Sequence, residues 1–362
     1  MVRINPMAET QTLLSVGIDV GTTTTQVVFS RLGITNAART GLIPRMAITD
    51  KEVLYQSPIV LTPLLDQDLV DAEKLVEIVR REYRAAGIEP AQVGTGAVII
   101  TGETARKKNA DAILHSLSGL AGDFIVSVAG PQQESLISGR GSGAAQYSRE
   151  HYQMVTNLDI GGGSANCAVF KGGNLIGGAT MNFGGRILTI DHTSGRVLHI
   201  AQAARYILQD CQLNLQTGDT PALADLRRFT DRMAEVTLEL IEGGTSVLAR
   251  QLYLTPPSQV SGAGSSLMFS GGVGHYYYHP VEIRTLTDVT VHDDVGPLLA
   301  ESLRNNAALS AYRVITPAET LRATVLGAST QTVSLSGSTI WAEREILPLR
   351  NIPVLHLPVE PE

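Results

Sequence analysis

The chain has 362 residues, of which 43% are hydrophobic and only 17% charged, with 35 glycines and a formal net charge of −7. That length excludes a small stapled scaffold, the acidic balance argues against a surface that tracks nucleic-acid phosphates, and no apolar run approaches the ~18 residues of a membrane span. Cys167 and Cys211 are the two cysteines, too far apart in sequence for a zinc ribbon or a disulfide framework, so a reducing, cytoplasmic setting is expected.

The first apolar segment, Leu13–Ile18, runs into Asp19-Val20-Gly21, then a threonine run, then Gln26–Phe29. Two strands joined by a tight glycine turn form a β-hairpin. A third strand is predicted over Val53–Leu61, with Pro58 marking an irregular or edge position. Helical spacing from Val70 to Ala86 ends at Gly87. Ala97–Ile100 reads as a fully buried strand, followed by a helical stretch to about Leu120; Phe124–Val128 repeats the pattern and leads into a helix from Gln132.

The opening theme returns at Val155–Ile160: an apolar strand, a carboxylate at Asp159, the turn Gly161-Gly162-Gly163, and strands Ala165–Phe170 and Asn174–Met181. A long amphipathic helix is predicted from Leu223 to Ile241, with Leu226, Phe229, Met233, Val236 and Leu240 on one face. Leu267–Ser270 is a short buried strand that ends in the glycine turn Gly271–Gly274. Val295–Arg304 and Ala318–Gly327 read as helices, and the tail from Ser329 as extended chain.

Each hairpin places a carboxylate at a strand end, then glycines, then hydroxyls or amides. Backbone N–H groups in such a turn converge on an anionic oxygen, and neighbouring Thr or Ser hydroxyls add donors. A carboxylate beside a polyphosphate needs an intervening cation, and Mg²⁺ held through its waters fits, because Mg²⁺ dehydrates reluctantly. Asp-x-Gly alone is a common hairpin turn, but two copies on apolar strands outweigh that reading. The third turn, Ser270–Gly274, would let a flat base or ribose approach backbone. Gly139, Gly141, Gly143 and Ala144 fit a dinucleotide fingerprint but follow a helix instead of a strand, so they fail its context. His275 and His279 have a metal-compatible spacing, although a surface or pocket rim is the simpler reading. Asp293-Asp294 reads as a solvated pair or helix cap, and Cys167 as a core residue.

The three elements in this order resemble the actin, Hsp70 and sugar-kinase superfamily of ATPases. More closely, Leu13–Leu32, Ile99–Ala110, Ala129–Gly143, Asn182–Ile187, Leu267–Gly274 and Arg322–Trp341 resemble the ethanolamine ammonia-lyase reactivating factors. The resemblance implies a two-lobed α/β actin-like ATPase fold, built of duplicated ribonuclease H-like domains with mixed sheets and a nucleotide cleft between the lobes. It implies a first lobe over residues 1–152, a second over 153–330, and a tail over 331–362. Family members usually continue further, so a truncated or short member is expected.

By position, the resemblance puts Asp19 and Asp159 on Mg²⁺ or its waters. Gly21, Thr22, Thr23, Thr24, Gly161, Gly162, Gly163 and Ser164 would hold phosphates, and Gly271, Gly272 and Val273 the adenosine. Gln132–Ala145 and Thr320–Ser329 are the candidate helices that join the lobes. Glu134 would position the attacking water, with a carboxylate favoured at a helix N-terminus as the plainer reading. Glu103 is a second carboxylate of interest, and Arg106, Lys107 and Lys108 could supply charge to the phosphates or lie on the surface. The implied activity is a slow, Mg-dependent ATPase that restores ethanolamine ammonia-lyase by promoting exchange of damaged cobalamin. Its partners would be the lyase and ATP or ADP, with cobalamin met indirectly and no nucleic acid or membrane. The implied location is cytoplasmic, with a possible place at an ethanolamine-utilisation microcompartment. A small-molecule kinase is the alternative, although no acceptor-facing base stands out, and a non-catalytic scaffold is another.

Overall fold

The computed structural model describes residues 11–21, 24–36, 46–66, 69–100, 109, 112–113, 116–117, 120, 124–128 and 131–329. The first sheet contains β1 (Gln11–Val20), β2 (Thr24–Asn36), β3 (Met46–Gln56), β4 (Val60–Leu61), β7 (Thr95–Ile100) and β8 (Phe124–Val128); β5 (Leu64–Asp66) and β6 (Leu69–Val70) form a separate ribbon. Its order is β3-β2-β1-β7-β8, with β4 against β2. Strands β1, β2 and β3 pair antiparallel, whereas β7 runs parallel to β1 and to β8.

The second sheet repeats that plan. Strands β9 (Met154–Ile160), β10 (Ala165–Lys171), β11 (Asn174–Met181) and β14 (Ser266–Ser270) lie in the order β11-β10-β9-β14, while β12 (Leu188–Ile190) and β13 (Val197–Ile200) make a ribbon of their own. Here too the first three strands are an antiparallel meander and the fourth joins the first in parallel. Two mixed sheets with one shared strand order make this the duplicated α/β architecture of the actin-like ATPase fold.

Period-two alternation decides which way the carboxylates face. Val16, Ile18 and Val20 of β1 are buried with Leu75, Val79 and Tyr83 of the Ala72–Ala86 helix, so Asp19 projects from the opposite side of the sheet. That helix starts where Asp71 accepts the Lys74 N–H at 3.1 Å, and it stops at Gly87, whose φ of +66° suits a residue without Cβ. In β9, Leu158 and Ile160 enter the large core built on the Leu223–Glu242 and Gly296–Asn305 helices, and Asp159 faces away from it. A fully buried side chain such as Phe229 contributes roughly 1.5–3 kcal/mol there.

The remaining face of each sheet meets the same two helices. Pro131–Gly141 packs on β9, β10 and β11 while its Ile137 joins Ala97 and Ile99 of β7, and Ala323–Ser329 packs on β1, β2 and β7. The helices cross where a Cβ on Gly141 would stand 1.7 Å from the Ala323 carbonyl oxygen, and one on Gly327 would stand 2.0 Å from that of Ile137. Only glycines allow this approach, which accounts for two glycines of the chain without reference to any ligand.

Several boundaries differ from expectation. The third strand spans Met46–Gln56 and breaks at Ser57–Ile59 before β4, because Pro58 has no N–H for a ladder. The glycines after β14 open the Gly271–Tyr278 helix instead of forming a turn. Among the described residues the helix expected over Ala318–Gly327 begins at Ala323, and helices at Gln202–Asp210 and Val247–Leu252 add to the predicted elements. Ala112, Ile113, Ser116 and Leu117 are helical, and Asn109 and Leu120 lie in turns, whereas the other residues of the expected stretch from Thr101, with Glu103, Arg106, Lys107 and Lys108, lie outside the described residues, as do Thr22, Thr23 and residues 330–362.

Candidate functional site

The two hairpins close in the same way. Val20 pairs with Thr25 across the first turn, and Gly21 donates its N–H to the Thr24 carbonyl at 2.9 Å. Ile160 pairs with Ala165 across the second, and Gly161 donates to the Ser164 carbonyl at 3.1 Å. One position before each turn stands the carboxylate: Asp19 opposite Gln26, and Asp159 opposite Asn166. The second turn is braced from behind by Asn182–Ile187, where Gly185 donates to the Gly161 carbonyl at 2.9 Å and Arg186 to the Gly162 carbonyl at 2.7 Å. The first is braced by Thr62, whose hydroxyl donates to the Gly21 carbonyl at 2.8 Å.

Asp19 is half-buried, whereas Asp159 is 6% exposed. Asp159 Oδ1 accepts the Ser270 hydroxyl at 2.7 Å and Oδ2 the Thr324 hydroxyl at 3.3 Å. Ser270 in turn accepts from the Asn157 amide at 3.1 Å. Burial pushes the Asp159 carboxyl above its ordinary range, and the Ser270 and Thr324 hydroxyls offset part of that. A bound cation nearby would favour the charged form again.

The third motif reaches the same place. Gly271 takes φ +81°, and a Cβ there would lie 2.4 Å from the Ile160 carbonyl oxygen, so this residue brings the start of its helix flush against the end of β9. Gly272 and Gly161 face open space instead, with nothing within 4 Å of an added Cβ. The Val273 side chain is buried in the core of the second sheet, which leaves its backbone alone to meet a ligand. Gly271 donates to the Thr320 carbonyl at 3.0 Å, Gln26 Nε2 donates to the Leu321 carbonyl at 3.3 Å, and Thr324 holds Asp159. All three sequence motifs therefore touch one short segment, Thr320–Thr324.

Other expected residues sort themselves by contact. Thr24 begins β2 and pairs with Leu61, and Ser164 is buried at the start of β10. Glu134 is buried in the first turn of the Pro131–Gly141 helix. His275 and His279 stack ring on ring with centroids 4.5 Å apart at the end of the Gly271–Tyr278 helix. Of the two readings of Asp294 the helix cap holds: Oδ1 accepts the Gly296 N–H at 2.9 Å, and burial pushes its carboxyl up to about 6. Cys167 lies fully buried in β10, where burial holds its thiol well above the usual range. Gln26 and Thr324 escaped the reading of the sequence. The signal for Gln26 was its place seven residues after Asp19, matched by Asn166 seven after Asp159; Thr324 offered none.

The family model described as "Ethanolamine utilisation protein EutA" matches residues 11–362. The chain belongs to this family. The ethanolamine ammonia-lyase reactivase EutA of Escherichia coli (strain K12) is 43% identical over 345 residues, which cover 95% of this chain and 73% of that protein. Its counterpart of the same name in Salmonella typhimurium is 42% identical over the same shares. Among solved structures, a Ppx/GppA family member from Aquifex aeolicus has 14% identity and a TM-score of 0.48, covering 88% of this chain and 97% of that one. The ethanolamine utilization protein EutJ from Carboxydothermus hydrogenoformans has 17% identity and a TM-score of 0.42, with 90% and 92% covered. No helix among the described residues of this EutA-family chain is long and apolar enough to cross a membrane.

Proposed function

We propose that the chain binds Mg-ATP between its two hairpins and uses it to restore ethanolamine ammonia-lyase in ethanolamine utilisation, promoting exchange of damaged cobalamin. Family membership and the reactivase names of the two relatives support the target. The observation that carries the nucleotide reading is the duplicated strand-carboxylate-glycine hairpin, with both copies and the start of the Gly271–Tyr278 helix touching Thr320–Thr324.

The residues present fit the ligand. Asp19 and Asp159 offer hard oxygens, Gln26 Oε1 is buried without a partner, and the space over Gly161 and Gly272 is open. In this reading the backbone of Gly21, Gly161, Gly162 and Gly163, with the hydroxyls of Thr22, Thr23, Thr24 and Ser164, holds the phosphates. Gly271, Gly272 and the Val273 backbone meet the adenosine. Asp19 and Asp159 would hold Mg²⁺ through its waters, and Mg²⁺ when bound supplies the positive charge that lets two carboxylates stand beside a triphosphate. Glu134 orients the attacking water. Little covalent chemistry falls to the protein, so turnover is slow, and the output is a shift in lobe arrangement, set by how much better one arrangement binds nucleotide. The lobes divide near residue 152, and the protein acts in the cytoplasm, beside the shell of an ethanolamine-utilisation microcompartment.

Nucleotide calorimetry and reactivation of cobalamin-inactivated lyase test this reading. Asp19→Ala and Asp159→Asn are each expected to weaken Mg-ATP binding by at least about tenfold, 1.4 kcal/mol, and to abolish recovery of the lyase. Wild-type affinity in both variants would remove the site, and no recovery with the unaltered protein and Mg-ATP would remove the reactivase role.

A further inference from the structure

Thr320–Leu326 is gripped from both sheets. On the side of the first, Gln26 donates to the Leu321 carbonyl at 3.3 Å, Lys51 to that of Leu326 at 3.4 Å, and Arg322 donates to the Ser57 carbonyl at 3.1 Å. On the side of the second, Gly271 donates to the Thr320 carbonyl at 3.0 Å and Thr324 to Asp159 at 3.3 Å.

The two oxygens of Asp159 are not held alike. Oδ1 takes a short bond from Ser270, which belongs to the same sheet and is itself backed by Asn157. Oδ2 has the longer bond from Thr324, which belongs to the helix packed on the first sheet. Thr324 is the second residue of its helix, so a released hydroxyl turns to the carbonyls of the turn that leads into the helix. Those are the carbonyls of Leu321 and Thr320, which Gln26 and Gly271 already use. Gln26 is 7% exposed, its Oε1 has no partner, and it stands opposite Asp19 in the β1–β2 pairing.

We propose that Thr324 is a positioning residue that links the two hairpins: its hydroxyl holds Asp159 in the nucleotide-free arrangement and moves to the Thr320 and Leu321 carbonyls when Asp159 turns to a cation's waters. The exchange disturbs the bonds from Gly271 and Gln26, so an event at the second hairpin is felt at the first. This rests on the reading of the hairpins as a Mg-nucleotide site, and it concerns the chain's own residues more than the chemistry of the phosphates.

The test uses the full chain with Thr324→Val, which keeps the shape and removes the hydroxyl, and Thr324→Ser, which keeps the hydroxyl. Calorimetry at fixed ATP and varied Mg²⁺ reads the half-saturating Mg²⁺; hydrogen exchange reads residues 20–26, 160–166 and 320–326 with and without Mg-ATP. Removing the competitor for Oδ2 is expected to lower the half-saturating Mg²⁺ of Thr324→Val by roughly threefold to tenfold, a direction that mere structural damage does not produce. In that variant Mg-ATP is expected to protect residues 20–26 and 160–166, which meet the ligand themselves, but no longer 320–326, and Thr324→Ser is expected to restore both readouts. Gln26→Leu cuts the same link from the other sheet and is expected to lose transmitted protection too, which keeps the test decisive if Thr324→Val fails to fold. Wild-type exchange patterns in Thr324→Val, or in Gln26→Leu, would overturn the link while leaving the nucleotide site standing. Failure of the unaltered chain to bind Mg-ATP would overturn the site and the link together.

Discussion

Asp294 lies just ahead of the Gly296–Asn305 helix, where burial raises its carboxyl to about 6 while the Gly296 N–H and Arg186 pull the other way. A buried acid whose folded pKa exceeds its unfolded value of about 3.9 keeps its proton in the folded state when the unfolded chain has already lost it. Stability is therefore expected to fall as pH rises from about 4 to about 6 and to level off above that, by on the order of 1–3 kcal/mol. Denaturant midpoints of Asp294→Asn should lack this decline, since the amide keeps an acceptor for Gly296 and has no charge to bury. Equal slopes in both proteins would assign the pH dependence elsewhere.

At the scale of elements, the contact between the Pro131–Gly141 and Ala323–Ser329 helices depends on two residues without side chains. Gly141→Ala would drive a Cβ against the backbone at Ala323, which cannot rotate away as a side chain would, so a loss of about 3 kcal/mol or more is expected in chemical unfolding. Gly272→Ala is the contrasting case. It faces open space within a helix, so stability is expected to hold within about 0.5 kcal/mol while affinity for Mg-ATP falls. A Gly272→Ala protein with unaltered affinity would show that no ligand approaches that backbone.

Across the whole molecule, the two connecting helices are laid crosswise: the one that follows the first sheet in the chain packs on the second, and the one that follows the second packs on the first. A ligand held between the hairpins would then stabilise both halves. At about 100-fold excess over its dissociation constant, Mg-ATP is expected to add about 2.7 kcal/mol to unfolding, and both β1–β2 and β9–β10 should gain hydrogen-exchange protection. Protection confined to one hairpin would count against a shared site.

Much of this was legible in the residues themselves. Short apolar runs that end in a carboxylate named β1 and β9, Gly87 ended its helix, and the recurrence of Asp and Gly at the same offset announced the duplicated hairpins, because backbone propensity and an apolar run are local properties. Local signals failed where the outcome depends on what lies across a gap. Gly271 reads as a turn and begins a helix, since its conformation is set by the Ile160 carbonyl pressed against it. Asp294 reads as a solvated carboxylate or a helix cap, and it acts as the cap, because the fold withdraws it from water. Thr324 is an ordinary helical threonine until folding lays it beside Asp159, 165 residues away in the chain. The chain alone settles which atoms can hold a phosphate or a cation. The meeting of those atoms on one segment is decided by how two sheets share two helices, and no periodicity encodes a contact between residues so far apart.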